Sequence, residues 1–236
     1  MTESTAAAPP RASSFEDYVD IFYTPSSVFE RRRDASPWAP LLIVTGLFAI
    51  ATYVNYTLLT PVYEAEFTRQ MAQNPNVTAE QMAGMRRFAG IGAVFGGITT
   101  VPIATLVLGL VLWVVGKLLD AEQSLRSAFL VVVFSFLPRV LEGIVTALQS
   151  FLIDVNAAGS IYAVSLSPAR FLSPDSPVAV LAMASRLSPF VLWSYAIVAI
   201  GLKVTGRVSM AKAVVAAAIL WLLGALPTVL PVLMRG

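Results

Sequence analysis

Five polar residues at helical spacing lie inside a long apolar stretch, and these are the side chains of this sequence best placed to do chemistry. They follow one another at steps of four, three, four and three within residues 125–153: Ser135, Arg139, Glu142, Thr146 and Gln149. That spacing places all five on one face of a helix whose other faces are apolar. Because charged side chains are costly in lipid, this polar stripe should turn toward other helices, a partner or a water-filled cavity.

Arg139 and Glu142 are three positions apart and can pair on a helix. In one interpretation they form a polar site for a lipid headgroup, an ion or a partner side chain. In the other they are a structural clamp that satisfies itself and nearby carbonyls, including one left unpaired by Pro138. The sequence leaves both open. Asn55, in another apolar stretch, could complete the site or hydrogen-bond to a neighbouring helix.

The composition excludes several classes of chemistry. The chain has no Cys and no His, so thiol catalysis, His general bases and His-ligated metals are excluded. It has no phosphate-binding GK[ST] loop and no GxSxG motif. A net charge of +2 gives no reason to expect nucleic acid. We therefore expect a protein that is not an enzyme and binds no metal, cofactor or nucleic acid.

The hydropathy predicts an all-α, polytopic transmembrane helical bundle. Of 236 residues, 57% are hydrophobic and only 13% charged, about half of what soluble domains carry. Apolar runs long enough to span a bilayer, bounded by Pro, Gly and polar residues, predict five spans. They are residues 38–60, 88–116, 125–153, 189–206 and 210–234, which together form a membrane domain over 37–236.

The first 36 residues divide into two parts. Residues 1–13 are rich in Ala, Pro, Ser and Thr, which predicts a disordered tail. Residues 14–36 predict a cytoplasmic amphipathic segment that contacts the membrane surface. The contacting residues would be Phe15, Tyr18, Phe22, Arg31, Arg32 and Arg33. The alternative, that this segment covers the ends of the spans, is favoured because nearby acids balance most of the arginines.

Small residues mark the start of the second span. Gly92, Gly96 and Gly97 form a small-xxx-small surface that lets helices approach closely in lipid. A moving hinge is the alternative, but packing needs no second state. Thr78 and Gln81 fit a capping box, which predicts a helix that starts near residue 79 and continues into this span.

The distribution of basic residues predicts the orientation. Nine Lys and Arg residues fall on the side of the N-terminus and six on the other, with Arg139 left out. This bias places the N-terminus in the cytoplasm and, with five spans, the C-terminus on the opposite side. The polar stripe then lies mostly in the outer half of the membrane.

The order and spacing of several short motifs resemble the Yip1 domain family of five-span membrane proteins. They extend from about residue 15 to the end of the chain and combine Pro, Gly and aromatic positions. The motifs are YTPSSVF at 23–29, Pro37, Pro40, Gly116, FLP at 136–138, Trp193-Ser194, Gly201-Leu202, Ser209, Lys212-Ala213 and Trp221. The short N-terminal segment makes the chain more similar to bacterial members, which implies a bacterial inner membrane.

The resemblance implies a non-enzymatic scaffold or adaptor. Eukaryotic members are associated with Rab GTPases and vesicle budding, and some bacterial members look linked to ABC-type exporters. The expected partners are the lipid bilayer and other membrane proteins or a second copy of the chain. Two alternatives remain. One is a transport component, either an exporter accessory or a small lipid or ion pathway lined by the polar stripe. The other is a subunit of a larger membrane complex.

Overall fold

The computed structural model describes residues 15–72 and 78–226, and every regular element in those ranges is a helix. The helices are α1 Asp17–Asp20, α2 Pro25–Arg31, α3 Trp38–Leu58, α4 Thr60–Ala72, α5 Ala79–Leu118, α6 Leu125–Ser135, α7 Leu137–Gln149, α8 Val178–Ser185, α9 Pro189–Gly206 and α10 Met210–Leu223, with a 3₁₀ turn at Pro168–Phe171. The tail predicted for residues 1–13 and the last part of the predicted fifth span lie outside the described residues.

Four helical stretches are long and apolar enough to cross a membrane: Trp38–Leu58, Phe95–Leu118, Leu125–Gln149 and Pro189–Gly206. The helix Met210–Leu223 is apolar but shorter. The all-helical membrane bundle is therefore confirmed, with four of the five predicted spans in the described ranges. The second stretch is the C-terminal part of α5, which is a 40-residue helix. At about 1.5 Å per residue it extends well beyond the hydrocarbon core.

The predicted starts of α5 and of the third span follow their sequence signals. Thr78 and Gln81 form the predicted capping box at the N-terminus of α5. Ser124 accepts a hydrogen bond from the Ser127 amide and begins α6. Pro138, in the first turn of α7, cannot continue the hydrogen bonding of α6, so the third span breaks at Phe136 into two helices.

The core of the bundle lies around α6. Residues 130–134 are each at most 1% exposed, which makes α6 the central helix. α9 packs closely against it. A Cβ built on Gly201 would lie 2.6 Å from the Val131 Cγ1 atom, so only glycine permits this approach. Apolar side chains on α3 and α5 face outward, as expected for surfaces in contact with lipid.

The loops gather at two ends of the bundle. At one end, here called the N-terminal end, Arg33 donates to the Thr205 carbonyl at 3.0 Å, and Ser127 donates to the Arg33 carbonyl at 3.0 Å. At the opposite end, Leu59, Val62 and Val164 form a second apolar cluster between α4 and the segment before α8. This grouping matches helices that alternate in direction through a membrane.

Candidate functional site

The break at Phe136 divides the polar stripe between two helices. Ser135 is the last residue of α6, and its buried hydroxyl donates to the Val132 carbonyl of the same helix at 2.7 Å. The other four residues lie on α7. Three of them, Arg139, Glu142 and Thr146, line the space beside α3, and Gln149 lies next to it.

Arg139 and Glu142 form an ion pair. The Arg139 Nε atom lies 2.9 Å from the Glu142 Oε2 atom, with the two side chains 42% and 18% exposed. The Ser188 hydroxyl, just before α9, donates to the Glu142 Oε1 atom. Apart from this pairing with Glu142, the Arg139 guanidinium donates no hydrogen bond to any residue in the described ranges. Glu142 is thus held from two sides, while Arg139 keeps donors directed at neighbouring space.

Asn55 joins α3 to α7. Its Nδ2 atom donates to the carbonyls of Ala51 and Gly143, each at 2.8 Å. The absence of a side chain on Gly143 allows this contact, since a Cβ there would lie 3.0 Å from the Ala51 Cβ atom. The Asn55 Oδ1 atom is buried and has no donor among the described residues. Asn55 therefore fills both roles expected of it, a bond to a neighbouring helix and a place beside the stripe.

These side chains line a cavity of about 300 Å³, here called the polar cleft. Its walls are α3, α7 and the segment before the 3₁₀ turn. Residues contributing polar groups are Thr52, Asn55, Tyr63, Arg139, Glu142, Thr146, Ser165, Ser167 and Ser185. Gln149 closes its outer edge by donating to the Val164 carbonyl at 3.0 Å. Burial, with neighbouring Tyr56, raises the pKa of Tyr63.

The polar cleft does not extend through the bundle. Arg139 also borders a cavity of only about 60 Å³ next to Leu108 and Leu220. Beyond it the tightly packed residues of α6 occupy the centre. On the other side of the α3–α7 contact lies an apolar groove of about 430 Å³. The groove and the polar cleft share Ala51, Asn55 and Gly143 as their common wall.

The length of α3 gives the depth of the polar cleft. From Trp38 to Leu58 this helix measures about 30 Å, the thickness of a hydrocarbon core. Asn55 lies three residues, or about 5 Å, from the end of α3. Arg139 lies one helical turn deeper than Gly143, the partner of Asn55. The polar cleft therefore lies near the membrane edge opposite the N-terminal end, within reach of the headgroup region.

The N-terminal segment packs across the ends of the spans. The Phe22 ring lies 5.3 Å from Trp193, and the Tyr18 ring lies 5.6 Å from Phe134. Phe15 is 76% exposed and turns away. Of the residues expected to contact the membrane surface, Tyr18 and Phe22 thus face the bundle, and α1 has only four residues. This arrangement supports the second interpretation of the segment, as a cover for the spans.

The three arginines of this segment have protein partners. Arg31 and Arg32 both pair with Asp17, which is only 2% exposed, at 2.6 Å and 2.5 Å. Hydrogen bonding to Asp17 is the largest cause of a raised Arg31 pKa. Arg33 donates to the Thr205 carbonyl. These three guanidinium groups therefore bind mainly to other groups of the protein.

The glycines of α5 differ in their surroundings. A Cβ on Gly97 would lie 3.2 Å from the Thr52 Cβ atom, so Gly97 lies close against α3. Cβ atoms on Gly92 and Gly96 would meet nothing within 4 Å. Within the described residues, neither of these two glycines contacts a neighbouring helix. Gly90, which the pattern did not single out, approaches the Tyr56 hydroxyl.

Sequence reasoning also missed several residues of the polar cleft. Tyr63, Ser165, Ser167 and Ser188 lie in segments outside the third span, and no periodicity connects them to it. Arg186, counted only as a loop charge, donates to the Gly224 carbonyl at 3.0 Å and stacks 5.3 Å from the Trp221 ring centre. A cation next to a helix C-terminus is favourable, so Arg186 fixes the end of α10.

Comparison with known proteins agrees with the fold. The Yip1 domain model matches residues 19–230. The membrane protein YknW of Bacillus subtilis (strain 168) is 31% identical over 206 residues, which cover 85% of this chain and 83% of YknW. No solved structure matches. The matched length, together with an all-helical bundle of apolar helices, shows that this integral membrane protein belongs to the Yip1 domain family.

Proposed function

We propose that this protein is a non-enzymatic membrane scaffold or adaptor whose polar cleft recognises a component of the same membrane. The observation that carries the proposal is that the polar stripe ends in a blind cleft near one membrane edge. Its charged groups are arranged for binding: Arg139 and Glu142 neutralise each other and leave donors and acceptors at the wall.

The same observation disfavours an independent ion pathway. A conducting pathway needs polar or hydrated groups across the whole membrane, whereas residues 130–134 of α6 close the N-terminal half of the bundle with apolar side chains. Transport would then require a partner protein or a large rearrangement of α6. An accessory role beside a transporter remains compatible with a scaffold, because it requires only lateral contacts.

We also propose a bacterial inner membrane, five spans and a cytoplasmic N-terminus. Three features support this topology: the excess of basic residues on the N-terminal side, the gathering of loops at two ends, and the apolar start of a fifth span at α10. A cytoplasmic N-terminus places the polar cleft at the outer leaflet.

A substitution that fills the polar cleft tests the proposed scaffold function. Ala51→Leu adds bulk to the wall shared by the polar cleft and the apolar groove. Gly46→Leu is the matched control on α3, where a Cβ meets nothing within 4 Å. Tagged proteins would be purified from their native membrane in mild detergent and their co-purifying proteins quantified.

We expect wild type and Gly46→Leu to retain a membrane partner in fixed stoichiometry, and Ala51→Leu to lose most of it. Loss with both variants would assign the effect to α3 in general. If neither wild type nor the variants retain a partner, and vesicles of the purified protein show substrate flux, the protein is a transporter and not a scaffold.

A further inference from the structure

The polar cleft contains one positive and one negative side chain, and this balance limits what can bind. Among its lining residues only Arg139 and Glu142 carry charge. They lie within 2.9 Å of each other, so the pair has no net charge. A ligand with one net charge would leave that charge uncompensated near the membrane interior, where charges are costly. A ligand that carries one charge of each sign avoids this cost.

The arrangement of donors and acceptors favours a phosphate on one side and an ammonium on the other. Arg139 is 42% exposed, and its guanidinium makes no hydrogen bond to another residue in the described ranges. Guanidinium groups bind phosphate oxygens well, because several N–H donors lie in one plane. The Glu142 carboxylate, one helical turn away, is the acceptor for an ammonium group, while Thr146 adds a hydroxyl on the same face.

The position of the polar cleft points to a lipid as the source of this headgroup. It lies near the membrane edge, as the length of α3 shows. The apolar groove on the other side of Ala51, Asn55 and Gly143 has walls of Leu, Ile, Val and Phe side chains. Along α3 it extends from Leu58 to Leu47, about 16 Å, which is close to the thickness of one leaflet.

We propose that the polar cleft binds the headgroup of a zwitterionic, ethanolamine-type phospholipid, with phosphate at Arg139 and ammonium at Glu142. The apolar groove, on the far side of the α3–α7 contact, provides a surface for an acyl chain that passes around the end of this contact. This inference rests on the proposed function, since it names the membrane component that the polar cleft recognises. Its test measures lipid binding alone, so it can fail while partner co-purification succeeds.

The test is a titration of delipidated, detergent-purified protein, followed by native mass spectrometry. The probes are phosphatidylethanolamine, phosphatidylglycerol and soluble phosphoethanolamine. We expect wild type to prefer phosphatidylethanolamine over phosphatidylglycerol on the order of tenfold, the value of one charge-assisted hydrogen bond. Soluble phosphoethanolamine should bind much more weakly, because it has no acyl chain.

Neutralising one charge should change the preference in a defined direction. Glu142→Gln leaves Arg139 as a net positive charge, and phosphatidylglycerol should then bind as well as or better than phosphatidylethanolamine. Glu122→Gln is the matched control, since Glu122 is 63% exposed in a loop at the N-terminal end. Ala51→Leu, which changes no charge, should weaken both lipids equally and provides a second variant if Glu142→Gln does not fold.

Equal binding of both lipids by wild type would overturn the proposal, as would an unchanged preference in Glu142→Gln. An unaltered affinity in Ala51→Leu would also overturn it, by placing the lipid elsewhere. Soluble phosphoethanolamine that binds as tightly as the lipid would support the headgroup chemistry and overturn the lipid source.

Discussion

Arg139 and Arg186 differ in how much of each guanidinium group is hydrogen-bonded within the protein. Arg186 donates to the Trp221 and Gly224 carbonyls and stacks on Trp221, which makes it a structural cation. Arg139 has one carboxylate partner and an exposed guanidinium. A clamp would be expected to use its donors within the protein, so this difference favours a site at Arg139.

Replacing each arginine by leucine separates these roles. Arg139→Leu should cost about 1 kcal/mol, because Glu142 keeps its hydrogen bond from Ser188 and lies at the wall of the polar cleft near the membrane edge, and should lower Tm by roughly 2–4 °C. Arg186→Leu should lower Tm further, since it frees the end of α10. Thermal unfolding in detergent, followed by size-exclusion chromatography, measures both. An Arg139→Leu protein that aggregates as readily as Arg186→Leu would make Arg139 a clamp.

Among the helices, the break at Phe136 has the largest consequence for the site. It allows α6 to fill the centre of one half of the bundle and α7 to line the polar cleft in the other. The stripe at steps of three and four predicted that Arg139, Glu142, Thr146 and Gln149 face one space; in the structure the first three line the polar cleft and Gln149 bonds to Val164 in its wall. The opposite wall, from Val164 to Ser167, depends on long-range packing, for which the local pattern has no signal.

The prediction of an amphipathic segment over residues 14–36 shows a related limit of local sequence patterns. Phe15, Tyr18 and Phe22 share a helical face in the sequence, yet α1 ends at Asp20, and Tyr18 and Phe22 face the bundle while Phe15 is exposed. Asp17 of α1 pairs with Arg31 and Arg32 at the end of α2, so α1 lies beside α2. Charge balance predicted that these arginines are not free, but not which acid they contact.

This pairing predicts how the N-terminal segment is held. Asp17→Asn keeps the shape of the side chain and removes the buried negative charge, so Arg31 and Arg32 lose their common partner. We expect a cost of about 2 kcal/mol, less than for a fully buried pair because both arginines are partly exposed. Faster proteolysis between α1 and α3, with the rest of the bundle protected, is the measurement.

Asp20→Asn is the control for this change. Asp20 is 36% exposed and, among the residues that the structure describes, pairs with Arg31 alone, so its loss should alter proteolysis little. Equal sensitivity of the two variants would mean that Asp17 has no special role and that the apolar contacts of Val28 and Phe29 hold the segment.

For the whole molecule, alternation of the helices connects the topology with the site. α5 ends and α6 begins at the N-terminal end, where Glu122 pairs with Arg207 at 3.1 Å in the loop between α9 and α10. The segment around Asp175 lies toward the opposite end, beyond the 3₁₀ turn. The polar cleft faces the outer leaflet only if the N-terminal end is cytoplasmic, so orientation decides which lipids it can reach.

The natural absence of Cys makes this orientation directly measurable, because each introduced thiol is unique. In intact cells a membrane-impermeant maleimide should label Asp175→Cys and leave Glu122→Cys unlabelled until the membrane is opened. Gly236→Cys should label like Asp175→Cys if the chain crosses the membrane five times, and like Glu122→Cys if it crosses four times. Labelling of Glu122→Cys but not Asp175→Cys in intact cells would invert the topology and move the polar cleft to the cytoplasmic leaflet.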